Sequence, residues 1–186
     1  MWLICGLGNP DNKYKFTKHN LGFNIVDSLI KSNFFDQFKK DKFKEIYKGK
    51  INGKECLICK PLTYMNLSGP PIAEIVNFYK ISLTNLIIIH DDLDIAIGKI
   101  KIKVGGGNGG HNGLLSIDNV LGENYKRLRI GIGHPGSRDF VSKYVLEKFS
   151  IEDREIINNK IELINKYFSL IFENDGLFLT KVASKE

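Results

Sequence analysis

Four histidines and one acidic cluster are the side chains of this sequence best suited to acid–base chemistry. Imidazole titrates close to neutral pH, so a histidine can take up and release a proton during a reaction. A carboxylate beside the imidazole would fix its tautomer and stabilise its charged form. The histidines are His19, His90, His111 and His134, and the carboxylates of the HDDLD segment are Asp91, Asp92 and Asp94.

Each of these candidates also has an ordinary structural interpretation. His19 lies in TKHNLG, where it could be a polar residue at the start of a helix, and His111 and Asn112 could begin a helix of their own. HDDLD could bind a hard cation, but a solvated turn is favoured because no clustered ligand spacing supports a metal. Spacing along the chain does not show that His19 and Asp91 meet in space.

The stretch GGGNGGHNG, residues 105–113, contains six glycines among nine positions. It could be a flexible linker, a phosphate-binding loop or a mobile loop that carries working side chains. A Walker loop is excluded because His111 and Asn112 stand where a Lys and a Ser or Thr are required. A linker is disfavoured because the stretch lies between a strand and a helix of one continuous pattern.

The GLGNPD segment, residues 6–11, begins like a dinucleotide-binding fingerprint but does not complete it. Asp11 stands where the third glycine is needed, and Pro10 lacks a backbone N–H donor. No nucleotide cofactor is implied, and a nucleotide-dependent oxidoreductase is disfavoured.

Length and composition indicate one domain spanning residues 1–186, with a proper hydrophobic core. The net charge of +6 is compatible with a polyanionic partner such as nucleic acid, although a Lys-, Ile- and Asn-rich composition can also be genomic bias. No N-terminal segment has the regions of a signal peptide, and no apolar run reaches the roughly 18 residues of a membrane span. We therefore expect no membrane association and a cytoplasmic location.

The three cysteines fit the same expectation of a reducing compartment. Cys56 and Cys59 form a CLIC segment, but no second pair completes a zinc site. Residues three apart on a strand point to opposite faces, which prevents chelation. We predict that Cys5, Cys56 and Cys59 are buried structural thiols.

The apolar patterning predicts strands that alternate with helices, which favours an α/β fold. We expect a single domain with a mixed, mostly parallel, twisted sheet flanked by helices. Ser150 and Asp153 form a plausible capping box before the final helix. The predicted strands are MWLIC (1–5), FKEIYKGKI (43–51), ECLICKP (55–61), LIIIH (86–90), GKIKIKV (98–104) and KRLRIGIG (126–133), and the predicted helices span 20–32, 72–80, 114–122 and 151–173.

Polar residues follow five of the predicted strands directly. In open α/β sheets, ligands bind in the crevice outside the carboxyl ends of the strands. Turns need Gly, Asn and Asp for steric reasons alone, but five clusters rich in amides and imidazoles favour a convergent site. The clusters are Gly6–Asn9, Thr63–Asn66, His90–Asp94, the glycine stretch and Gly131–Pro135.

The GKIKIKV run predicts a cationic strand face. Its lysines, Lys99, Lys101 and Lys103, alternate with apolar residues, so they share one face with a spacing that could follow a nucleic-acid backbone. A lysine-bearing edge strand that resists aggregation is the alternative. Because the next predicted strand, KRLRIGIG, carries Arg127 and Arg129, we favour a phosphate-binding patch.

Seven segments, taken in order and spacing, resemble the bacterial peptidyl-tRNA hydrolase family. The resemblance runs from the N-terminus through at least residue 147. The segments are GLGNP (6–10), Tyr14, TKHNLG (17–22), PLTYMNLSG (61–69), HDDLD (90–94), GGGNGGHNG (105–113) and RLRIGIGHP (127–135).

The resemblance implies hydrolysis of the ester between a peptide and the 3′ ribose of tRNA, which recycles the tRNA, by a monomer without metal or cofactor. It implies that His19 is the general base, that Asp91 orients it, and that Asn112 positions the water or stabilises the oxyanion. The glycine stretch would act as a gate. The implied peptide-binding residues are Asn9, Tyr14, Met65, Asn66 and His111, and the implied tRNA-binding residues are Lys101, Lys103 and Arg129.

Three positions depart from the family pattern: Lys18 replaces the usual Arg, Asp11 replaces the usual Gly, and Asn108 occupies a variable position of the glycine stretch. A non-catalytic RNA-binding protein on the same fold is the main rival hypothesis. It would keep the basic strand but would not need His19, Asp91 and all three asparagines.

Overall fold

A seven-stranded mixed sheet forms the centre of the computed structural model, which describes residues 1–183. The last three residues of the expected domain, 184–186, lie outside the described residues. The strand order is β2-β3-β4-β1-β5-β7-β6. The strands are β1 (Trp2–Gly6), β2 (Asp36–Lys40), β3 (Lys44–Ile51), β4 (Lys54–Pro61), β5 (Leu86–Asp92), β6 (Ile100–Val104) and β7 (Lys126–Gly131).

Four central strands, β4, β1, β5 and β7, run parallel. The strands on either side, β3 and β6, are antiparallel to their neighbours, and β2 pairs antiparallel with β3 at one edge. Residues 86–91 of β5 are all buried, as expected for an apolar strand that is covered on both faces. The predicted mixed, mostly parallel sheet is confirmed.

Helices cover both faces of the sheet and bury two separate clusters of apolar side chains. Helices α1 (Leu21–Ser32), α5 (Ile151–Tyr167) and α6 (Asp175–Ala183) pack on one face. Helices α2 (Gly69–Phe78) and α3 (Asn112–Leu121) pack on the other. A short helix, α4 (Val141–Val145), packs against the turn that precedes α1. No helix within residues 1–183 is both long and apolar enough to cross a bilayer.

The cysteines occupy the positions that the sequence predicts. All three are free and buried, and Cys56 and Cys59 contribute to the clusters on opposite faces of the sheet. Burial raises the pKa of the Cys56 thiol to about 11, so it stays protonated near neutral pH.

The predicted final helix is wrong in its length. It begins at Ile151, with Ser150 Oγ accepting a hydrogen bond from Asp153 N as expected, but α-helical structure ends at Tyr167. The chain continues as the 3-10 helix Phe168–Phe172. Phe168 and Ile171 are both fully buried, and a spacing of three residues matches one turn of a 3-10 helix.

The glycine stretch reaches the site by a route that the strand-end argument does not predict. Because β6 is antiparallel to β7, Val104 pairs with Lys126 at the amino end of β7, whereas Asp91 pairs with Ile130 near its carboxyl end. Residues 105–110 must therefore return along the sheet by about four residues of strand, or about 13 Å. Four of these glycines, at 105, 106, 109 and 110, have positive φ, a conformation that other residues rarely adopt.

We expect Gly22→Ala to destabilise the fold, because Gly22 lies where α1 crosses the ends of β1 and β5. A Cβ atom there would lie 2.4 Å from both the Ile89 carbonyl oxygen and the Leu7 backbone nitrogen. Overpacking of this kind costs about 1–3 kcal/mol. Denaturant unfolding measures the change, and Gly107→Ala, whose Cβ would meet nothing within 4 Å, is the matched control. Equal stability of the two variants would contradict the tight packing at Gly22.

Candidate active site

A buried carboxylate, Asp91, lies at the centre of the site and contacts two imidazoles. His19 Nδ1 lies 3.0 Å from both carboxylate oxygens, and His111 Nε2 lies 3.1 Å from Oδ1. Asp91 is 2% exposed, so its charge is compensated by these partners rather than by bulk water. The structure thus brings His19 and Asp91 into contact, which their spacing along the chain does not show.

Three elements bring these groups together. Asp91 lies near the carboxyl end of β5, His19 lies in the 3-10 turn Lys18–Asn20 that leads into α1, and His111 is the N-cap of α3. The solvated turn expected for HDDLD is wrong for its first residues, because β5 continues through Asp92. Likewise His19 is buried, and does not lie on a polar surface.

Lys18 holds the turn that carries His19. Its backbone N–H donates to the Glu147 carbonyl at 2.9 Å, and its ammonium donates to the Lys148 carbonyl at 3.1 Å. The ammonium also lies 4.2 Å from the centroid of the Tyr144 ring, a cation–π contact. Burial lowers the pKa of Lys18, although the carboxylates of Glu147 and Asp153 oppose that effect. The lysine at this position thus ties the His19 turn to the segment that contains α4.

Hydrogen bonds determine the tautomer of both imidazoles. Since Asp91 accepts, His19 carries its proton on Nδ1 and leaves the lone pair of Nε2 free to accept a proton. His111 Nδ1 accepts from the backbone N–H groups of Gly113 and Leu114, at 3.1 and 3.4 Å, so its proton lies on Nε2, which donates to Asp91. His19 therefore has the form required of a general base.

The pKa values of the pair follow from burial and charge. Burial disfavours the charged form of His19, but the charge and hydrogen bond of Asp91 outweigh it and raise the pKa of His19 above its ordinary value. Burial would raise the pKa of Asp91, but His19 and His111 outweigh it and hold that pKa well below its usual range. Asp91 is thus a carboxylate throughout the neutral range.

His90 supports the cluster without contacting the carboxylate group of Asp91. Its ring lies against the ring of His111, with centroids 5.1 Å apart, and its Nδ1 donates to the Asp91 carbonyl at 2.7 Å. Burial and the neighbouring His111 lower the pKa of His90 to about 3, so it is neutral. Its Nε2 atom is buried and has no hydrogen-bond partner in the described part of the chain.

Asn9 lies in the loop after β1 and joins two of the predicted segments. Its Oδ1 accepts from the Met65 backbone N–H at 2.9 Å. Asn20, which the sequence analysis did not single out, clamps the Asn9 backbone: its Oδ1 accepts from Asn9 N at 2.9 Å and its Nδ2 donates to Asn9 O at 2.8 Å. The position of Asn20 directly after His19 in TKHNLG is the sequence signal that could have identified this residue.

The remaining predicted peptide-binding residues differ in exposure. Met65 is buried, and its sulfur lies against the first turn of α3 at Gly113, whereas Asn66 beside it is exposed. Tyr14 is half-buried in the 3-10 turn Asn12–Tyr14. A hydrogen bond of 2.8 Å from the Tyr64 hydroxyl to Asp11 joins the two loops that carry these residues.

A cavity of 330 Å³ opens beside the Asp91 cluster. Asn112 is the exposed first residue of α3 and contributes to its lining, so its amide is free to contact a ligand. Residues 107–110 of the glycine stretch form one wall, and α4 contributes Val141 and Val145. The cavity therefore joins the two imidazoles to the glycine stretch.

Cationic side chains extend from this cavity onto β6 and β7. Lys101 and Lys103 are exposed, and Lys101 pairs in register with Arg129. Arg129 is half-buried, and its Nε donates to Asp92 at 2.8 Å. The three predicted tRNA-binding residues thus lie on neighbouring strands.

Arg127 does not belong to that patch, contrary to the sequence prediction. It is 1% exposed and its guanidinium donates to Asp118 at 3.1 Å and to the Gly107 carbonyl at 2.9 Å. The guanidinium also lies against the ring of Tyr125. α3 covers this part of β7, so Arg127 holds the glycine stretch in place and is not available to a phosphate.

The same three side chains are the group that could hold a metal ion. In the part of the chain that the structure describes, ligand atoms of His19, Asp91 and His111 all lie within 4.8 Å of one another. Both imidazoles already donate to the carboxylate, so a metal ion would have to displace the proton of each.

We expect Asp91→Asn to lower the pKa of His19. The variant removes the charge that raises the pKa and keeps the burial that lowers it, so the pKa falls below the ordinary value of about 6.5. An NMR titration of the His19 ring measures the change. Asp94→Asn, in the same segment but exposed, is the matched control and leaves the titration unchanged. A raised or unaltered pKa in the Asp91 variant would contradict the assigned contact.

The chain is similar to known proteins along nearly its whole length. A sequence profile of the peptidyl-tRNA hydrolase family matches residues 3–185. Peptidyl-tRNA hydrolase from Bartonella henselae is 44% identical over 184 residues, covering 98% of this chain and 95% of the relative. The enzyme of that name from Ehrlichia ruminantium is 46% identical over 181 residues, covering 97% of this chain and 93% of the relative.

A solved structure shows the same fold. Crystalline peptidyl-tRNA hydrolase from Acinetobacter baumannii superposes with a TM-score of 0.93 at 36% sequence identity, covering 100% of this chain and 96% of that one. Sequence and structure therefore agree along nearly the whole chain. The chain belongs to the peptidyl-tRNA hydrolase family.

Proposed function

We propose that this chain hydrolyses the ester between the peptide and the 3′ ribose of peptidyl-tRNA, with His19 as the general base. Family membership along nearly the whole chain supports the reaction. The observation that carries the mechanism is the contact between buried Asp91 and His19 Nδ1, which leaves Nε2 free. A non-catalytic RNA-binding protein would have no need of a buried carboxylate that holds an imidazole in this tautomer.

In the proposed reaction, His19 Nε2 takes a proton from water, and the oxygen of that water attacks the ester carbonyl carbon. Asn112, the exposed amide in the 330 Å³ cavity, positions the water or donates a hydrogen bond to the oxyanion. Asp91 stabilises the imidazolium as it forms. Collapse of the tetrahedral intermediate breaks the bond to the ribose oxygen, which receives the proton from His19. The peptide leaves as a carboxylic acid and the tRNA as a 3′ alcohol, so the atoms balance without a metal or cofactor.

The peptide contacts the loops that carry Asn9, Tyr14, Met65, Asn66 and His111 in this proposal. Carboxamides both donate and accept hydrogen bonds, so Asn9 and Asn66 can bind a peptide backbone whatever its side chains. A free α-ammonium fits poorly where a peptide amide is expected, which would protect ordinary aminoacyl-tRNA. The substrate class is therefore N-blocked aminoacyl-tRNA, from which the tRNA is recycled.

The acceptor arm of the tRNA lies along β6 and β7 in this proposal. Lys101, Lys103 and Arg129 bind its phosphates by charge, which gives affinity without sequence preference. We further propose that residues 1–186 are one catalytic domain that acts as a monomer. Peptidyl-tRNA arises during translation, which supports a cytoplasmic location for the enzyme.

We expect His19→Ala to lower kcat on N-blocked aminoacyl-tRNA by about 10²–10⁴-fold, because the water loses its base. Binding of tRNA to the variant remains close to wild type, because His19 is buried and its hydrogen bonds go to Asp91 and not to the lysines of β6. Release of the blocked amino acid and a filter-binding assay measure the two quantities. Wild-type protein spares the unblocked substrate in the same assay. Turnover that survives the substitution would show that another group is the base.

Single substitutions of Lys101, Lys103 or Arg129 by Ala should weaken tRNA binding at every sequence. Each also reduces the slope of log Kd against log salt concentration by about 1 if the side chain contacts one phosphate. Titrations at several salt concentrations measure the slope. Lys50→Ala, an exposed lysine of β3, is the control. An unchanged slope in all three variants would place the tRNA on another face.

A further inference from the structure

His111 is hydrogen-bonded at both ring nitrogens, and the two bonds have different consequences. Nδ1 accepts from Gly113 N and Leu114 N, which makes His111 the N-cap of α3. Nε2 donates to Asp91 Oδ1, the oxygen that His19 Nδ1 also approaches. The side chain is 10% exposed, so most of it lies within the cluster around Asp91.

We propose that His111 is a positioning residue that acts on His19 through Asp91, so that the end of the glycine stretch is coupled to the general base. The inference rests on the proposed role of His19 as the base. In this proposal His111 positions the Asp91 carboxylate, which is a different role from contact with the peptide.

Geometry links the glycine stretch to the carboxylate. Residues 105–110 lead into His111, beside the carboxyl end of β5. The His111 Nε2 bond to Asp91 joins the end of that stretch to β5. The Arg127 bond to the Gly107 carbonyl also anchors the stretch. Loss of the His111 bond would leave Asp91 with His19 alone.

The effect on His19 has a definite sign. The Asp91 carboxylate raises the pKa of His19, and a second donor on the same oxygen spreads the negative charge over two partners. Loss of the His111 donor concentrates that charge on His19 and raises the pKa of His19 further. A higher pH is then needed to produce the neutral, active form of His19. The low-pH limb of the plot of kcat/KM against pH therefore shifts to higher pH.

Other charged groups around the cavity do not change this sign. Two arginines are paired, Arg127 with Asp118 and Arg129 with Asp92, and His90 is neutral. The cavity linings from α3 and α4 contribute no carboxylate or ammonium group. The titratable and charged groups that line the cavity besides Asp91, His19 and His111 are His90, Asp92 and Asp94 from β5 and its end, Lys103 from β6, and Arg127 and Arg129 from β7.

Two substitutions separate the bonds of His111. His111→Asn places an amide oxygen near the position of Nδ1, so it keeps the helix cap but does not reach Asp91. His111→Gln places an amide N–H near the position of Nε2, so it keeps a donor to Asp91 but loses the cap. The pH dependence of kcat/KM and the NMR titration of His19 are measured for both variants and for wild type.

We expect the Asn variant to move both midpoints to higher pH, lowering the ratio of kcat/KM at pH 6 to that at pH 8 by about threefold. The Gln variant keeps midpoints close to wild type. Wild-type midpoints in the Asn variant would overturn the proposal. An equal shift in both variants would also overturn it, because the effect would then belong to the helix cap.

The NMR titration tests this inference independently of the assignment of His19 as the general base. If His19→Ala retained turnover, the proposed base would be wrong, but the shift in the His19 titration of the Asn variant would still establish the coupling. If His19→Ala abolished turnover while the Asn variant left the titration unchanged, the base would stand and the coupling would fall.

Discussion

A single buried carboxylate organises this molecule's site. Burying the charge of Asp91 is costly unless donors replace the water that it loses, and removing one partner from such an arrangement is strongly destabilising. His19 and His111 supply those donors from two different loops. The need to compensate one charge therefore fixes the tautomer of one imidazole, holds the glycine stretch through the other, and leaves a free lone pair on His19.

The sheet explains why Asp91 lies where it does. β5 lies between two parallel neighbours, β1 and β7, so its carboxyl end opens into the crevice where the loop after β1 and the turn before α1 also lie. The close crossing of α1 at Gly22 brings the His19 turn down onto that end. Asp91 is thereby buried at the carboxyl end of β5, where residues from two other elements supply its hydrogen-bond partners.

Two arginines on the same face of β7 differ in role because helix α3 packs over Arg127. Arg127 lies where α3 packs on the sheet, so its guanidinium donates hydrogen bonds to Asp118 and to the Gly107 carbonyl. Arg129 lies two residues further along and pairs with Asp92, but it stays partly exposed beside Lys101. The difference comes from the helix above them, because both side chains project from the same face of the strand.

Patterns along the chain were enough to predict the α/β class, the mixed sheet, most strand and helix positions and the set of polar residues that follow the strands. These properties depend on local periodicity and turn chemistry, which neighbouring residues carry. The same patterns did not predict β2, which is exposed throughout, or α6, and they extended α5 beyond Tyr167.

Which of these polar residues meet depends on how distant elements pack against one another. The antiparallel direction of β6 sends the glycine stretch back along the sheet to deliver His111, and the packing of α3 removes Arg127 from the cationic patch. The clamp of Asn20 on Asn9 and the sharing of Asp91 by two histidines likewise join residues far apart in sequence. Such contacts depend on strand direction and helix placement, which no local pattern in the chain encodes.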